Sequence, residues 1–485
     1  MVVTRFAPSP TGSLHIGGIR TALFAYALAR KEQGQFLLRI EDTDRNRFVP
    51  GAEEEVEEML NAFGLNYDEK FKQSERLPLY KQYAEQLIEQ GAAYYCFSSK
   101  EEIEILRKQA QDEKRSFIFR SPYRDMLLSE AKEKVAKGEA YVIRQNLPEN
   151  HVVVFDDGVQ GKMSFNTNDL DETVLLKSDG FPTYHLAVVV DDHLMGVTHV
   201  FRGVEWLPSV PKHVLLFKEL GFSMPVIAHL PVILDPDGGK LSKRKGSVSA
   251  KGFLEEGYLP EAVLNFLMLL GWSAPISYEH GEKEREIFSL EEFTSMFAMQ
   301  DVNKASPVFN REKLYWFNQK YIQSLSPDEL SNRVSLWLKR FGNDELLNSE
   351  IINKGPDYLQ QILLMEQSRI HILKDVPAML RPFYIHEGKF DLLASKQTKD
   401  LNLEVLKEFL SNIVKFYENK NLAELTHEEW EEFVRKEAER LQVKAGSLFM
   451  GLRLSVMETP FSPPLFEVLK FLGNDTVINR IKKYI

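Results

Sequence analysis

His15-Ile16-Gly17-Gly18 stands where a loop broken by prolines and glycine runs into a stretch with helical spacing. A helix N-terminus offers free N–H groups and the positive end of the dipole, a natural seat for phosphate. Gly17 and Gly18 remove side chains that would keep the backbone away from a nucleotide. His15 can donate to a phosphate oxygen as charge develops in a displacement. Taken alone, the tetrad reads more readily as a helix cap. About 220 residues on, Lys240-Leu241-Ser242-Lys243-Arg244-Lys245 follows the turn signal Asp235-Pro236-Asp237-Gly238-Gly239. Four cations in six residues suit a clamp on a triphosphate, but alone read more readily as an exposed basic loop.

The elements around the tetrad read as strand, loop, helix and strand. Val2–Ala7 is an apolar strand, and Pro8-Ser9-Pro10-Thr11-Gly12 must be a loop. Ile19, Leu23, Phe24, Ala27 and Leu28 set a helix from about Gly17 to Lys31, stopped near Gly34. Gln35–Glu41 is a second buried strand, so the segment is a βαβ unit opening a parallel doubly wound sheet. Residues 92–185 change character: strand-like pieces at Ala92–Phe97, Ala140–Arg144 and Val152–Phe155 alternate with a polar helix near Lys100–Lys114. That pattern predicts an α+β insertion. The strand pattern resumes at Tyr184–Asp191, and a helix at Pro211–Leu220 with a strand at Val226–Ile233 completes the sheet. Residues 325–485 read as all-helical, in two packed parts. Four segments are expected: 1–91, 92–185, 186–324 and 325–485.

Composition sets the bounds. The chain has 485 residues, of which 44% are hydrophobic and 27% charged, ordinary for a globular protein. The longest apolar stretch, Ala262–Trp272, falls short of the ~18 residues that suggest a membrane span. The start shows neither a charged leader nor an Arg/Ser-rich transit segment, so a cytoplasmic location is expected. Cys96 is the only cysteine, which excludes an internal disulfide and a multi-cysteine metal site. A net charge of −11 argues weakly against a polyanion partner. Residues 1–50, however, hold seven Lys/Arg against four Asp/Glu, and a basic groove can sit on an acidic body.

The two basic and glycine-rich signatures together resemble the paired signatures of class I aminoacyl-tRNA synthetases. More narrowly, the chain resembles bacterial-type glutamyl-tRNA synthetases. The resemblance rests on Phe6–Gly18 (FAPSPTGSLHIGG), Arg39–Arg45 (RIEDTDR), Gln73–Tyr80 (QSERLPLY), Gly180–Leu186 (GFPTYHL), Asp191–Gly196 (DDHLMG), His199–Arg202 (HVFR) and Gly252–Trp272. It implies a Rossmann-like α/β catalytic domain, an inserted acceptor-end-binding domain and an all-α anticodon-binding region. The implied reaction activates L-glutamate with ATP and Mg²⁺, then esterifies it to the terminal adenosine of tRNA-Glu, with tRNA-Gln as a further acceptor to be tested. No protein nucleophile is needed, because the substrate's α-carboxylate attacks.

Residue by residue, the resemblance places ATP against Pro8, Thr11, Gly12, His15, Gly17 and Gly18. Lys240, Ser242 and Lys243 would close on the phosphates, so His15, Lys240 and Lys243 carry the catalysis. Arg5 would meet the side-chain carboxylate of glutamate, since a guanidinium fork suits a planar carboxylate. Glu41 would meet the ammonium, although Arg5 and Glu41 also read as a mutual ion pair. Ala7, Ser9, Tyr184, Val188 and Arg202 match positions lining the same pocket. In the helical region, Arg369 matches an arginine that reads the last anticodon base, and Ser462-Pro463-Pro464 matches a rigid loop nearby. The chain departs from the pattern at Val188, where Asn is common, at Val204, where an acid is common, and at Ala25. Many relatives carry a zinc knuckle beginning at the equivalent of Cys96; here Phe97, Ser98 and Ser99 follow it, so no zinc is expected. A monomer without membrane contact is expected. The rivals are a glutaminyl relative, a tRNA-modifying paralogue lacking the C-terminal helices, a decayed non-catalytic tRNA binder and another nucleotidyl transferase.

Overall fold

The computed structural model describes residues 1–241, 248–274, 285–399 and 401–485. The chain divides into two units, Met1–Leu254 with Pro260–Phe317, and Glu255–Leu259 with Asn318–Ile485.

The first unit opens with β1 (Val3–Phe6), α1 (Ile16–Lys31), β2 (Gln35–Ile40), α2 (Ala52–Ala62), β3 (Glu69–Lys72) and α3 (Leu77–Glu89). There follow β4 (Ala93–Cys96), α4 (Lys100–Asp112), α5 (Leu128–Ala136), β5 (Val142–Gln145), β6 (Val152–Asp157), β7 (Gly161–Asn166) and β8 (Val174–Leu176). It continues with α6 (Tyr184–Leu194), β9 (His199–Gly203), α7 (Val210–Glu219) and β10 (Val226–Leu230).

The expected βαβ start is present. β1 and β2 run parallel with Val3 opposite Gln35, and α1 crosses between them. Among the described residues seven strands form one sheet in the order β3-β2-β1-β9-β10-β6-β7. The chain therefore leaves β1 on one side for β2 and β3, and returns much later on the other side as β9. That reversal is a topological switch point, where open parallel sheets bind ligands at the carboxyl ends of their strands.

Two readings change. Tyr184–Asp191 is not a strand but the first turns of α6. Leu186 through Val190 are all buried, packed against α3, α7 and the strands β4, β5 and β8. A short run that is apolar on every side cannot reveal a period, so burial hid the helix. The hairpin β6–β7, inside the 92–185 segment, continues the main sheet, since β10 pairs with β6 at Ile227 and Asp157. A separate antiparallel sheet, β4-β5-β8, lies within the same segment.

The second unit is helical. Helices Pro327–Phe341, Glu345–Lys354, Pro356–Glu366 and Val376–Tyr384 pack mainly among themselves, as do Leu403–Asn419, His427–Arg440, Ala445–Met457 and Leu465–Lys482. Buried Arg480 ties the two groups, donating to the carbonyls of Pro382 at 2.7 Å, Phe383 at 2.9 Å and Val456 at 2.8 Å.

Candidate functional site

Arg5 at the end of β1 and Glu41 just beyond β2 lie on adjacent strands at the switch point. They do not pair with each other. Arg5 Nε donates to Asp192 Oδ1 at 3.1 Å, and Arg39 Nη1 donates to the same oxygen at 2.6 Å. Arg39 Nη2 in turn donates to Glu41 Oε1 at 3.1 Å. The result is a buried chain, Arg5–Asp192–Arg39–Glu41, of alternating charge. Burial pushes the Asp192 carboxyl up, but Arg5 and Arg39 outweigh that and hold it below the usual carboxylate range. For Glu41 the balance falls the other way: burial raises its pKa more than Arg39 and Arg5 lower it. Glu41 is thus an acid whose ionised form gains from any further cation. Of the five N–H donors of Arg5, three are engaged, by Asp192 Oδ1 and Oδ2 and weakly by the Phe201 carbonyl.

Arg202, ending β9, is held differently. Its Nε donates to His229 Nε2 at 2.9 Å and its Nη1 to the Tyr184 hydroxyl at 2.6 Å. His229 Nδ1 is bonded to Asp157 Oδ2. Nη2 of Arg202 is buried and has no hydrogen-bond partner among the described residues. A buried guanidinium nitrogen left unpaired is costly, and it leaves a donor open to a further acceptor. The ring of Trp206 lies over that of Tyr184, with centroids 4.3 Å apart.

The second group of expected site residues stands at the start of α1. His15 is its N-cap, with Nδ1 accepting from the Gly17 amide at 3.0 Å. That bond places the proton of the neutral ring on Nε2, the nitrogen with reach beyond the helix. A Cβ on Gly17 would stand 3.2 Å from the His15 ring, and one on Gly18 2.9 Å from Leu14. A cleft of about 390 Å³ is lined here by His15, Gly17, Gly18, Thr21, Gly203 and Lys240. Lys240 Nζ lies 3.5 Å from Glu205 Oε1, an exposed pair. Buried Arg20, on the cleft wall, donates to the carbonyls of Leu270 and Pro231, and burial lowers its pKa to about 10.

Ser242 and Lys243, with Arg244 and Lys245, lie outside the described residues. The backbone on either side of them is fixed at the cleft. Leu241 N donates to Ile233 O at 2.9 Å on one side. On the other, Ile16 N donates to Val248 O at 2.9 Å and Ala250 N to Leu14 O at 2.8 Å. Leu241 and Val248, which flank these residues, thus lie beside the first signature although more than two hundred residues separate them from it.

Pro8 and Pro10 lead the loop over the sheet edge, with Pro8 O accepting from Glu41 N at 3.0 Å. Ala7 and Pro8 are half-buried, Ser9 and Thr11 exposed, and Gly12 takes φ +132°, which favours glycine. Val188 is packed in the apolar cluster around α6. Val204 opens the short helical turn Val204–Ser209, and Ala25 is buried, its carbonyl accepting from Thr4 Oγ1 at 2.8 Å. Cys96 is buried with Tyr94 and Phe119, its Sγ 3.3 Å from Ser121 Oγ. In the helical unit, Arg369 donates to the buried carboxylate of Glu366 at 2.5 Å. Burial pushes Glu366 up to about 6 despite that arginine. Ser462 Oγ donates to Pro463 O at 2.9 Å, beside the exposed Phe461. Pro464 is the N-cap of Leu465–Lys482.

Sequence reasoning missed Arg39, Asp191, Asp192, Asp157 and His229. Three of them were inside stretches quoted for the resemblance. Asp191, fully buried, accepts from Gln73, Arg76 and Tyr80 at 2.9, 2.9 and 2.8 Å, so the QSERLPLY and DDHLMG stretches meet at one carboxylate. Asp157 and His229 carried no signal, because their pairing spans 72 residues.

A switch-point sheet with a glycine-rich helix start, Lys240 on the cleft beside it and buried Arg5 and Glu41 at the strand ends is the arrangement of a class I synthetase. The model for tRNA synthetases class I (E and Q), catalytic domain, matches residues 1–316, and an anticodon binding domain matches residues 330–485. The chain belongs to this family. Among curated relatives, the glutamate–tRNA ligase of Flavobacterium psychrophilum is 40% identical over 516 residues, covering 100% of this chain and 99% of that one. The glutamate–tRNA ligase of Chlorobium phaeobacteroides is 39% identical, covering 99% and 97%. Among solved structures, a glutamate tRNA ligase from Elizabethkingia meningosepticum in complex with its amino acid superposes with a TM-score of 0.84. That match has 34% identity and covers 100% of this chain and 99% of the other.

Proposed function

We propose that this chain is a glutamate–tRNA ligase. The observation that carries the reading is the gathering of Arg5, Glu41 and Arg202 at the carboxyl ends of β1, β2 and β9, with a buried donor of Arg202 unpaired. Two guanidiniums suit the side-chain carboxylate of glutamate, and one buried acid suits its ammonium. The spare donors of Arg5 and Nη2 of Arg202 take the side-chain carboxylate, and Glu41 takes the ammonium. Ala7, Ser9 and Tyr184 shape the pocket. Val188 packs in an apolar cluster and offers no hydrogen bond.

The α-carboxylate of glutamate then attacks the α-phosphorus of ATP. A new P–O bond forms, the bond to the β-phosphate oxygen breaks, and pyrophosphate leaves. His15, through Nε2–H, and the amides around Gly17 and Gly18 stabilise the charge on the phosphates. Lys240, Ser242 and Lys243 act on the departing pyrophosphate, and Pro8, Thr11 and Gly12 border the nucleotide. Mg²⁺ would enter with ATP and would help neutralise the charge on the phosphates. In the second step the 2′-hydroxyl of the terminal adenosine of tRNA attacks the glutamyl carbonyl, and AMP leaves.

The 92–185 segment guides the tRNA end, built without zinc around the packed Cys96. The helical unit binds the anticodon of tRNA-Glu through Arg369, Ser462, Pro463 and Pro464. The protein acts as a cytoplasmic monomer. Aminoacylation with glutamate or glutamine, crossed with tRNA-Glu or tRNA-Gln, tests the reading. Glutamate must reach tRNA-Glu.

A further inference from the structure

Arg5 and Arg39 each meet a carboxylate, whereas Arg202 meets none among the described residues. Its orientation rests on the Tyr184 hydroxyl at Nη1 and on His229 at Nε. Arginine Nε always carries a hydrogen, so His229 Nε2, 2.9 Å away, must be the acceptor. The proton of the His229 ring then sits on Nδ1 and is donated to Asp157 Oδ2. Asp157 has no freedom to turn. Its other oxygen, Oδ1, accepts from the amides of Val159 at 3.0 Å, Gln160 at 2.8 Å and His229 at 3.1 Å. Both side chains are fully buried.

We infer that Asp157 and His229 are positioning residues for amino-acid recognition, holding Arg202 so that Nη2 stays available to the substrate's carboxylate. Backbone amides orient Asp157, Asp157 fixes the tautomer of His229, and that tautomer fixes Arg202. The inference rests on Arg202 being a glutamate-binding residue.

Asp157→Asn tests it sharply. The three amides require the oxygen of the new side chain at the Oδ1 place, so its NH₂ group must face His229 Nδ1. Two donors cannot bond, and the ring proton is driven to Nε2, against Arg202 Nε–H. A histidine in the wrong tautomer is disabled without a change of shape. A second pair of variants works at His229 itself. His229→Gln puts an oxygen close to the Nε2 place and keeps the acceptor for Arg202, whereas His229→Asn keeps the donor to Asp157 and loses that acceptor.

The readout is steady-state aminoacylation with the full chain and tRNA-Glu. The expected result is a KM for glutamate raised about 10- to 100-fold in Asp157→Asn and His229→Asn, the range of one lost charged hydrogen bond, with KM for ATP within about twofold. His229→Gln recovers most of the loss. An unchanged glutamate KM in Asp157→Asn overturns the inference. So does an equal rise in both KM values with a falling Tm, which would mark a purely structural role. If Asp157→Asn does not fold, the contrast between His229→Gln and His229→Asn decides alone: equal glutamate KM values overturn the inference. Wild-type protein that transfers no glutamate overturns the proposed function, and this inference with it.

Discussion

The amide of Ile16 donates to the carbonyl of Val248 at 2.9 Å, which fixes the far side of the cationic segment to the first turn of α1. Ile16 directly follows His15, and Ser249 bridges to His15 by backbone. The relationship explains why neither signature is informative alone. The fold brings His15, Gly17 and Gly18 together with Lys240 and Leu241 along one cleft.

His15 has two tasks that substitution can separate. Its Nδ1 caps the helix through Gly17 N, while Nε2 is assigned to phosphate. His15→Asn keeps a side-chain acceptor suited to an N-cap. Tm should stay within a few degrees, while the rate of glutamate activation, measured with tRNA present, should fall about 10²- to 10³-fold. An unaltered rate would remove His15 from catalysis.

Asp192 sits between two guanidiniums, and Asp192→Asn leaves both of them short of a counter-charge. Breaking a buried pair costs about 3–5 kcal/mol, so the denaturant midpoint should drop strongly. Glutamate-dependent activation should drop with it, because Arg5 loses its anchor. A variant as stable as wild type would show that the chain of charges is not needed to hold the pocket.

Gly34 passes close to the start of β1. A Cβ there would lie 1.9 Å from the Val2 carbonyl oxygen, which also accepts from Gln35 N. Since that neighbour is backbone, Gly34→Ala must shift β1 against β2. The expected loss is about 2–4 kcal/mol by chemical denaturation. A loss under about 0.5 kcal/mol, the range of an ordinary surface change, would contradict the packing described.

Glu458 offers a pH test in the helical unit. Burial opposes its ionisation. Tyr484 OH at 2.7 Å and the amides of Glu387, Gly388 and Lys389 at 2.9, 2.8 and 3.1 Å outweigh burial. They hold the carboxyl down to about 2. A group depressed on folding stabilises above its unfolded pKa, about 4.3, and that contribution is lost as pH falls from there. Glu458→Gln should therefore be less stable than wild type near pH 6, with the gap narrowing toward pH 3. A gap independent of pH would sink the assignment.

The sequence made the βαβ opening, the helix start at His15 and the helical C-terminal region legible, because each depends on local periodicity and loop chemistry. It hid α6, where Leu186–Val190 are buried on every side and show no period. It also hid the placement of β6–β7 in the main sheet, which depends on a pairing between Ile227 and Asp157. Within the pocket, residue types at Arg5, Glu41 and Arg202 were readable, but not their partners. The expected alternative, an Arg5–Glu41 ion pair, gives way to Asp192 and Arg39, and Asp192 comes from a helix that approaches from 187 residues away. Contacts of that range are set by packing, which no local pattern reports.

The central claim is tested most directly by aminoacylation with glutamate or glutamine crossed with tRNA-Glu or tRNA-Gln. The account predicts glutamate esterified to tRNA-Glu, and glutamine to neither tRNA. Glutamate appearing on tRNA-Gln as well would remove the assigned role of Arg369 in discrimination while leaving the activity intact. Glutamate transferred to neither tRNA would contradict the account.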